Sequence, residues 1–431
     1  MSLYQPYIPS TVDVNVFKAY CEESNLPENY SNRINALNLD WNIEQPKTLR
    51  HLALDEIIKN WENDPKYFRL TEPEDIIYFV ENLNINLPLK ILTVYVHDDI
   101  FWKRCFLHKW RNVYPYLNEK RPWISLYCEK YLAEYLQKLD PCDYDQESIS
   151  NLLEVLGPYI YKLDIDYLQP TLAERSDHIP FDFILSNLPE LRYFRITFDT
   201  KTIGIHYNLG CCTPSRRDAL HFCRGIQKCY ELEYFNLHST NMDPTQLQNL
   251  GKSLDKAASI NLKTLAFPNS EIGDEGLRGF YCALSKESFP NLVTLDLTNN
   301  FLGQESALIL SRTLQNRKIK RLILRLNPIE SDGAAAIFAI IKCLPLELLD
   351  VSGCSITSSI QRVLLKLIYE TKTLRQLDLS NNELGPEIGS TLYRTIGFNK
   401  SLRQIDLRNT GIYNEHKNYI NDVLFPNRER F

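Results

Sequence analysis

An eleven-residue leucine pattern, LxxLxLxx(N/T/S/C)x(L/I/M), repeats seven times in the second half of the chain and narrows the folds open to it. Successive copies are 27 to 30 residues apart. They begin at Leu232, Leu262, Leu292, Ile319, Leu346, Leu374 and Leu402. A repeat of this length cannot bury its apolar face alone, so the pattern predicts that neighbouring repeats stack into a solenoid.

Each position of the pattern has a physical role. The LxL core predicts a short strand whose leucines point into the solenoid, and the remainder of each repeat has apolar residues at helical spacing. The ninth position supplies a polar side chain to backbone groups of the next turn that would otherwise be buried without partners. That column reads Thr240, Ser270, Asn300, Asn327, Cys354, Asn382 and Thr410. We therefore predict an α/β leucine-rich-repeat solenoid of the ribonuclease-inhibitor-like class, with parallel strands on the concave face and helices on the convex face.

Weaker copies and helical patterns set the predicted boundaries. Two degraded repeats contain Ile160, Leu163 and Ile165, and then Leu191, Phe194 and Ile196; an insertion over 199–214 follows the second. Upstream helices are predicted from Thr48, from a Thr71-x-x-Glu74 capping box, from Asp98, and over 122–139 and 146–156. A helix with Ile420, Val423 and Leu424 closes the far end. The predicted domains are an extended N-terminal segment (1–46), a helical capping domain (47–157) and the repeat domain with its terminal capping helix (158–431).

Composition excludes several classes of function. The 431 residues include 48 Lys and Arg against 54 Asp and Glu, a net charge of −6, whereas dedicated nucleic-acid binders are strongly basic. No apolar run approaches the roughly 20 residues of a membrane span, and the first residues do not resemble a secretory signal. Eleven cysteines, an odd number without a CxxC pair, indicate thiols in a reducing compartment. We therefore expect a cytoplasmic protein without nucleic-acid or membrane partners.

Motifs of catalysis and of cofactor binding are incomplete. Gly251-Lys252-Ser253 is similar to part of a phosphate-binding loop, but Gln246 stands where the first glycine is needed. The group Cys211, Cys212, His221, Cys223 and Cys229 lacks the paired spacing of zinc ligands, and Cys223 fits a buried position better. No GxSxG or HExxH motif occurs. The sequence thus predicts no enzyme, no cofactor, no metal and no small-molecule substrate.

Two charged surfaces are candidate partner sites. Positions between the strand leucines carry Asp296, Asp350, Asp378 and Asp406, and Arg325 and Arg408 lie two residues after that column. This acidic stripe on the concave face suits a basic partner, or is simply a solvated surface. A basic patch of Arg312, Arg317, Lys318, Lys320 and Arg321 suits an acidic surface, or is a solvated loop edge.

A ten-residue block in the helical region is more specific than the repeats. It reads Phe101-Trp102-Lys103-Arg104-Cys105-Phe106-Leu107-His108-Lys109-Trp110, after Leu87-Pro88-Leu89 and before Leu163-Asp164-Ile165-Asp166. In this order the segments resemble the dynein regulatory complex subunit 5 family, the t-complex-associated testis-expressed leucine-rich-repeat proteins. The family motif, aromatic-Trp-x-Arg-Cys-x-x-His-basic-Trp, falls on Trp102, Arg104, Cys105, His108 and Trp110.

The resemblance implies a non-catalytic scaffold subunit of the nexin–dynein regulatory complex, located in the cytoskeleton of motile cilia and flagella. Its partners would be other subunits of the complex, with tubulin of the axonemal doublets as the acidic surface for the basic patch. The block itself also has a structural interpretation, as mostly aromatic core that packs the capping domain on the first repeat. Two alternatives remain open: an F-box-like leucine-rich-repeat adaptor of a ubiquitin ligase, and a regulator of the Ran GTPase-activating type.

Overall fold

The computed structural model describes residues 47–63, 65, 72–111, 113, 121–169, 177–198, 213–258, 260–284, 288–315 and 317–428. The predictions for 1–46, for most of the 199–214 insertion, and for Cys211 and Cys212 lie outside the described residues. Two compact units divide the chain, Met1–Cys128 and Glu129–Phe431. Each unit is described separately below, and the predicted domain boundary after residue 157 stays a prediction.

Helices make up the described regular structure of the first unit. They are α1 (Leu49–Asn60), α2 (Pro73–Asn82), α3 (Leu89–Tyr95), α4 (Asp99–Lys109) and the beginning of α5 (Trp123–Lys138). The Asp98 side chain accepts hydrogen bonds from the backbone N–H groups of Ile100 and Phe101, which confirms the predicted start of α4. Because such a cap satisfies donors that have no partner inside the helix, it fixes where α4 begins.

Two further features of this unit concern α2 and α1. Helix α2 begins at Pro73 after the N-cap Glu72, which makes no side-chain hydrogen bond, and Thr71 of the predicted Thr71-x-x-Glu74 box lies outside the described residues. Pro73 suits the first helical position because its fixed φ and missing N–H are tolerated there. In α1 the apolar residues Leu49 and Leu52 are 84% and 51% exposed, while Leu54 is buried.

The second unit contains a parallel sheet whose strands follow one another in chain order. Among the described residues the sheet has nine strands, β1 to β9, and each pairs with the next. They are Lys162–Ile165, Tyr193–Thr197, Tyr234–His238, Thr264–Ala266, Thr294–Asp296, Arg321–Ile323, Leu348–Asp350, Gln376–Asp378 and Gln404–Asp406. The central leucines lie in register, as Leu295 with Leu322 and Leu349 with Leu377, and all are buried. The predicted α/β solenoid is confirmed.

Helices connect the strands on the opposite side from the concave face. After the end of α5 they are α6 (Gln146–Leu156), α7 (Phe181–Ser186), α8 (Arg216–Ile226), α9 (Pro244–Ala258), α10 (Gly273–Phe280), α11 (Gln304–Leu314), α12 (Glu330–Ile340), α13 (Gln361–Glu370), α14 (Gly385–Thr395) and α15 (Asn414–Arg428). Gly251 lies inside α9, where an added Cβ would come within 2.6 Å of the Ala283 Cβ, so this glycine serves helix packing. Ile420 and Leu424 of α15 are fully buried, as predicted for the terminal helix.

The side chain at the ninth position hydrogen-bonds across to the preceding repeat in six of the seven copies. The exception is Thr410, whose hydroxyl donates to the Leu407 carbonyl of its own repeat. Asn327 Oδ1 accepts from the backbone N–H of Asn300 at 2.8 Å, and Asn300 Oδ1 accepts from that of Ser270 at 3.0 Å. Asn382 makes the same bond to the N–H of Cys354, at 2.9 Å. These side chains therefore form a ladder along the solenoid, and its predicted role in satisfying buried backbone groups is confirmed.

The residue before each ladder position adopts a left-handed backbone conformation. Its φ lies between 46° and 61° in seven successive repeats. The residues are Ser239, Asn269, Asn299, Leu326, Gly353, Asn381 and Asn409. Asparagine and glycine tolerate this region, whereas other L-residues pay about 1–2 kcal/mol for it. Ser239 and Leu326 are therefore the strained members of the series, and Leu326 has the larger side chain.

Replacing Leu326 with asparagine is expected to raise the free energy of unfolding by about 0.5–1 kcal/mol, because the strain relieved exceeds the packing lost by a half-exposed leucine. Equilibrium urea denaturation followed by circular dichroism measures the change. A matched control is Leu308→Asn, since Leu308 is also 44% exposed but lies in a regular helix. If both Leu326→Asn and Leu308→Asn stabilised the protein, or if neither did, the claim of backbone strain at Leu326 would be contradicted.

Candidate partner-binding surfaces

The aspartates predicted on the concave face lie in one column of the sheet. Asp350 is in register with Asp378, and Asp378 with Asp406. Neighbouring strands are about 4.8 Å apart, so these three carboxylates form an unbroken run across β7, β8 and β9. Asp296 belongs to the same column but is separated from the run by Ile323 of β6. The structure thus brings three of the four predicted aspartates together.

Each aspartate also shapes the turn that follows its strand. Oδ1 of Asp350 accepts from the Ser352 backbone N–H at 3.0 Å and from its hydroxyl at 2.7 Å. Oδ1 of Asp378 accepts from the Ser380 N–H at 2.9 Å. In this Asx-turn geometry one carboxylate oxygen is used locally and the other is left for a partner. The stripe therefore has a structural role that neither sequence interpretation contained.

Charge is unevenly distributed along the run. Burial, together with the neighbouring carboxylates of Asp350 and Asp406, raises the pKa of Asp378 above its ordinary value. At Asp406 burial acts in the same direction, but hydrogen bonds from Arg408 outweigh it and hold the pKa below the ordinary value. Arg408 Nη2 lies 2.6 Å from Asp406 Oδ2. Arg408 therefore neutralises Asp406, and the unneutralised negative charge lies at Asp350 and Asp378.

The amino-terminal strands present different chemistry on the same face. The rings of Tyr193 and Tyr234 stack at a centroid distance of 4.0 Å, and Lys162 Nζ lies 4.5 Å from the Tyr193 centroid. Arg195 is paired with Asp164 at 2.8 Å. Sequence reasoning missed this aromatic pair, although the register of the weak repeats contained the signal. Here Arg195 also pairs with Asp166, whereas within the described residues no Lys or Arg forms an ion pair with Asp350 or Asp378 of the run on β7 to β9.

The predicted basic patch does not form a single surface. Arg312 lies on the convex helix α11, whereas Arg321 begins strand β6. Arg317 is half-buried and donates to the backbone carbonyls of Leu284 and Ser288, at 3.1 and 2.7 Å, and burial lowers its pKa. Its guanidinium is therefore used to hold a neighbouring loop.

The two lysines of the patch lie together at the solenoid edge. Lys318 is exposed, and Lys320 forms an ion pair with Glu347 at 2.9 Å. Both line a shallow cavity of about 380 Å³. Contact of these residues with tubulin stays a prediction. Arg325, the remaining predicted residue, is exposed beside the aspartate run, after strand β6.

The Trp102–Trp110 block is mostly core of the first unit. Trp102, Cys105 and Trp110 are buried, and Trp102 Nε1 donates to the carbonyl of Val96 at 2.6 Å. Arg104 donates to the carbonyl oxygens of Val80 and Leu83, the groups left open at the end of α2. Burial raises the pKa of the Cys105 thiol to about 12, so it stays protonated at neutral pH. These contacts confirm that the block is mostly core, while its packing on the first repeat stays a prediction.

His108 is the exception among the motif residues because its side chain is exposed on α4. It is therefore the motif residue available to a partner. The other four motif residues contribute to the packing and hydrogen bonding just described.

Two histidine–carboxylate pairs were not found by sequence reasoning. His178 Nδ1 lies 2.9 Å from Asp218 Oδ2, and both side chains are buried. His221 Nδ1 lies 2.7 Å from Asp182 Oδ2. Asp218 also accepts from the backbone N–H groups of His178 and Ser215, so it fixes the start of α8. The partners are about 40 residues apart, which left no local signal.

The described ranges contain neither a metal-binding cluster nor a helix suited to a bilayer. No group of three or more His, Cys, Asp or Glu residues is arranged to hold a metal ion there. Within the same ranges, none of the helices combines the length and the apolar character needed to cross a bilayer.

The chain is similar in sequence to a leucine-rich-repeat family model and to curated proteins of one name from several organisms. A family model described as "Leucine Rich repeat" matches residues 315–338 and 372–392. The human protein named dynein regulatory complex subunit 5 is 26% identical over 269 residues, covering 57% of this chain and 53% of the relative. The mouse protein of the same name is 27% identical over 270 residues, with the same coverages. The Chlamydomonas reinhardtii protein of that name is 24% identical over 200 residues, covering 46% of this chain and 49% of the relative.

The resemblance to the dynein regulatory complex subunit 5 family is confirmed. The chain spans about half the length of the curated relatives it matches. The two segments matched by the family model include strand β6 with most of α12, and strand β8, the middle strand of the acidic run, with most of α14.

Proposed function

We propose that the chain is a non-catalytic scaffold subunit of the nexin–dynein regulatory complex in the axoneme of motile cilia and flagella. There it contributes to the linkage between doublets and to the regulation of dynein-driven motility. The observation that carries the proposal is the similarity to proteins named dynein regulatory complex subunit 5 in human, mouse and Chlamydomonas. These relatives do not favour the alternatives, a ubiquitin-ligase adaptor or a Ran GTPase-activating regulator.

Within this function, the aspartate run is the contact for a basic segment of another subunit. Asp350 and Asp378 each keep one carboxylate oxygen free of the local turn, and Asp406 with Arg408 closes the run at the last strand. Solenoids bind extended partners along their concave surface, where one column presents equivalent side chains at a regular spacing. Lysine or arginine side chains at a similar spacing would be complementary to this column.

The tagged chain should be found along the axoneme when it replaces the endogenous protein in ciliated cells. Asparagine at Asp350, Asp378 and Asp406 keeps the Oδ1 acceptor of each turn while removing the charge, so the solenoid stays folded. Co-purification of other subunits of the complex with this triple variant should fall about tenfold or more. Fluorescence microscopy and quantitative mass spectrometry of the purified complex measure the two outcomes.

The control neutralises three other exposed acidic residues, Glu275, Glu387 and Glu415, by substitution with glutamine. A uniform cytosolic signal of the unaltered chain would refute the axonemal function. An axonemal signal with undiminished co-purification of the asparagine variant would keep the function but remove the concave face from it.

A further inference from the structure

A groove opens on the convex side of the solenoid between α12 and α13. It encloses a cavity of about 240 Å³. Its apolar lining comes from Ala335 and Ala339 on one helix and from Val363 and Leu367 on the other. The alanines are one turn apart, so their short side chains lie on the same face of α12 and leave space beside α13.

The other side of α12 is closed. At Gly333 an added Cβ would lie 2.9 Å from the Ala307 Cβ of α11, so these two helices are in close contact. Because the helix has one tightly packed side and one open side, the groove is a local feature of the α12–α13 interface. Ala339 is exposed, and Ala335 and Val363 are half-buried. Leu367 forms the buried floor, so the groove presents a partly open apolar surface flanked by polar residues.

The groove is bordered by positive charge. Lys342 and Lys366 line it, and Lys366 Nζ lies 3.9 Å from the carboxylate of Glu370. A second cavity of about 380 Å³ shares Lys342 and Glu370 with the first and adds Lys372. The groove therefore continues to the edge of the solenoid with three lysines and one glutamate along it, a local charge of 3 − 1 = +2.

The size and openness of the cavity favour a polypeptide segment over a small molecule as its occupant. Pockets for small molecules enclose roughly 300–1,000 Å³ and bury most of the ligand. The cavity between the helices is below this range, and the adjoining cavity is open to solvent, so the two together form a channel rather than an enclosed pocket. Such a channel suits one or two side chains projecting from a polypeptide. An amphipathic helix laid in a groove uses this arrangement, with apolar side chains about four residues apart inserted between the helices.

We propose that the groove docks an acidic segment of a partner protein. The segment inserts one or two aliphatic side chains against Ala335, Ala339 and Leu367, and its Asp or Glu residues lie near Lys342, Lys366 and Lys372. Apolar burial supplies most of the affinity, while the lysines orient the segment and reject basic ones. This contact is independent of the proposed function, because its chemistry is opposite to that of the acidic run on the concave face.

The test uses fluorescein-labelled helical peptides of about three turns and the full chain, with binding measured by fluorescence anisotropy. One peptide has two leucines four residues apart among glutamates and alanines. In a second the leucines are replaced by serine, and in a third the glutamates are replaced by lysine. We expect the first peptide to bind and the other two to bind at least about tenfold more weakly.

Variants of the chain localise the binding. Charge reversal by Lys342→Glu with Lys366→Glu should weaken the first peptide about tenfold, and Ala339→Trp should fill the groove and abolish binding. The matched control is Lys252→Glu with Lys256→Glu on the exposed side of α9, which makes the same change of net charge. Thermal unfolding by circular dichroism checks that each variant is folded.

The proposal is overturned if the leucine–glutamate peptide does not bind the unaltered chain, or if the lysine peptide binds as well. It is also overturned if the α9 control weakens binding as much as Lys342→Glu with Lys366→Glu. Both lysines are exposed, so this pair of substitutions decides the outcome even if Ala339→Trp does not fold.

Discussion

Replacing Asn327 with alanine is expected to lower the free energy of unfolding of the repeat unit by about 3–5 kcal/mol. The side chain is fully buried, and its Oδ1 accepts from the N–H groups of Asn300 and Leu302 at 2.8 and 3.1 Å. Its Nδ2 donates to the carbonyls of Leu297 and Leu324, both at 2.8 Å. Alanine leaves these buried groups without partners, and each one costs about 1–3 kcal/mol unless water reaches it. Urea denaturation followed by circular dichroism measures the loss.

Hydrogen exchange read by mass spectrometry should place the loss at β5 and β6, because repeats depend chiefly on their nearest neighbours. The control is Asn261→Ala, whose amide donates to the Tyr230 carbonyl in an exposed position and should cost less than about 1 kcal/mol. Equal effects of the two substitutions would show that the ladder bonds contribute no more than surface bonds.

The ladder could be predicted because its signal is periodic. Most repeats place a leucine at the strand centre and a polar residue at the ninth position. The spacing of the pattern alone therefore predicts that Asn300 and Asn327 occupy equivalent positions in neighbouring repeats. The same phase predicted the register of Asp350, Asp378 and Asp406 on neighbouring strands. The repeat spacing does not predict the hydrogen-bond partner of each side chain, because the partner depends on the contacts between side chains of neighbouring repeats.

The basic patch illustrates this limit. Lys320 pairs with Glu347, and Arg317 donates to carbonyls 29 and 33 residues earlier in the chain. Nothing in the run from Arg312 to Arg325 indicates those partners, which belong to adjacent repeats. The basic residues are close in sequence, but in the folded solenoid they lie on a helix, on a loop edge and on a strand.

The turn role of the aspartates could have been predicted. Asp296, Asp350 and Asp378 are each followed two residues later by Thr298, Ser352 and Ser380, a spacing at which a carboxylate accepts from the backbone. The strand pattern dominates this part of each repeat, so the sequence alone favours an interpretation of these aspartates as surface charge. In the first unit, by contrast, the helices differ in length and do not repeat at a fixed spacing, so no phase relates their side chains.

Trp102→Ala is expected to cost the first unit about 3–5 kcal/mol, the usual range for a buried aromatic residue. The ring has no exposed surface, and its Nε1 donates to the Val96 carbonyl. Its centroid lies 5.7 Å from that of Phe101, in an edge-on arrangement, and 5.2 Å from that of Tyr127. Hydrogen exchange should show lost protection over 72–111, while β5 to β9 in the second unit keep theirs.

Two substitutions on the same helix separate packing from partner contact. Trp102→Phe keeps much of the ring volume and should cost clearly less than alanine, although the Val96 carbonyl loses its donor. His108→Ala, at an exposed position, should change stability by less than about 0.5 kcal/mol. If Trp102→Ala left the exchange pattern intact but reduced recovery of the regulatory complex, the block would be a binding surface and its core role would be refuted. If His108→Ala instead reduced recovery of the complex at unchanged stability, the exposed side of α4 would be a partner contact. The core role of Trp102 would then still stand.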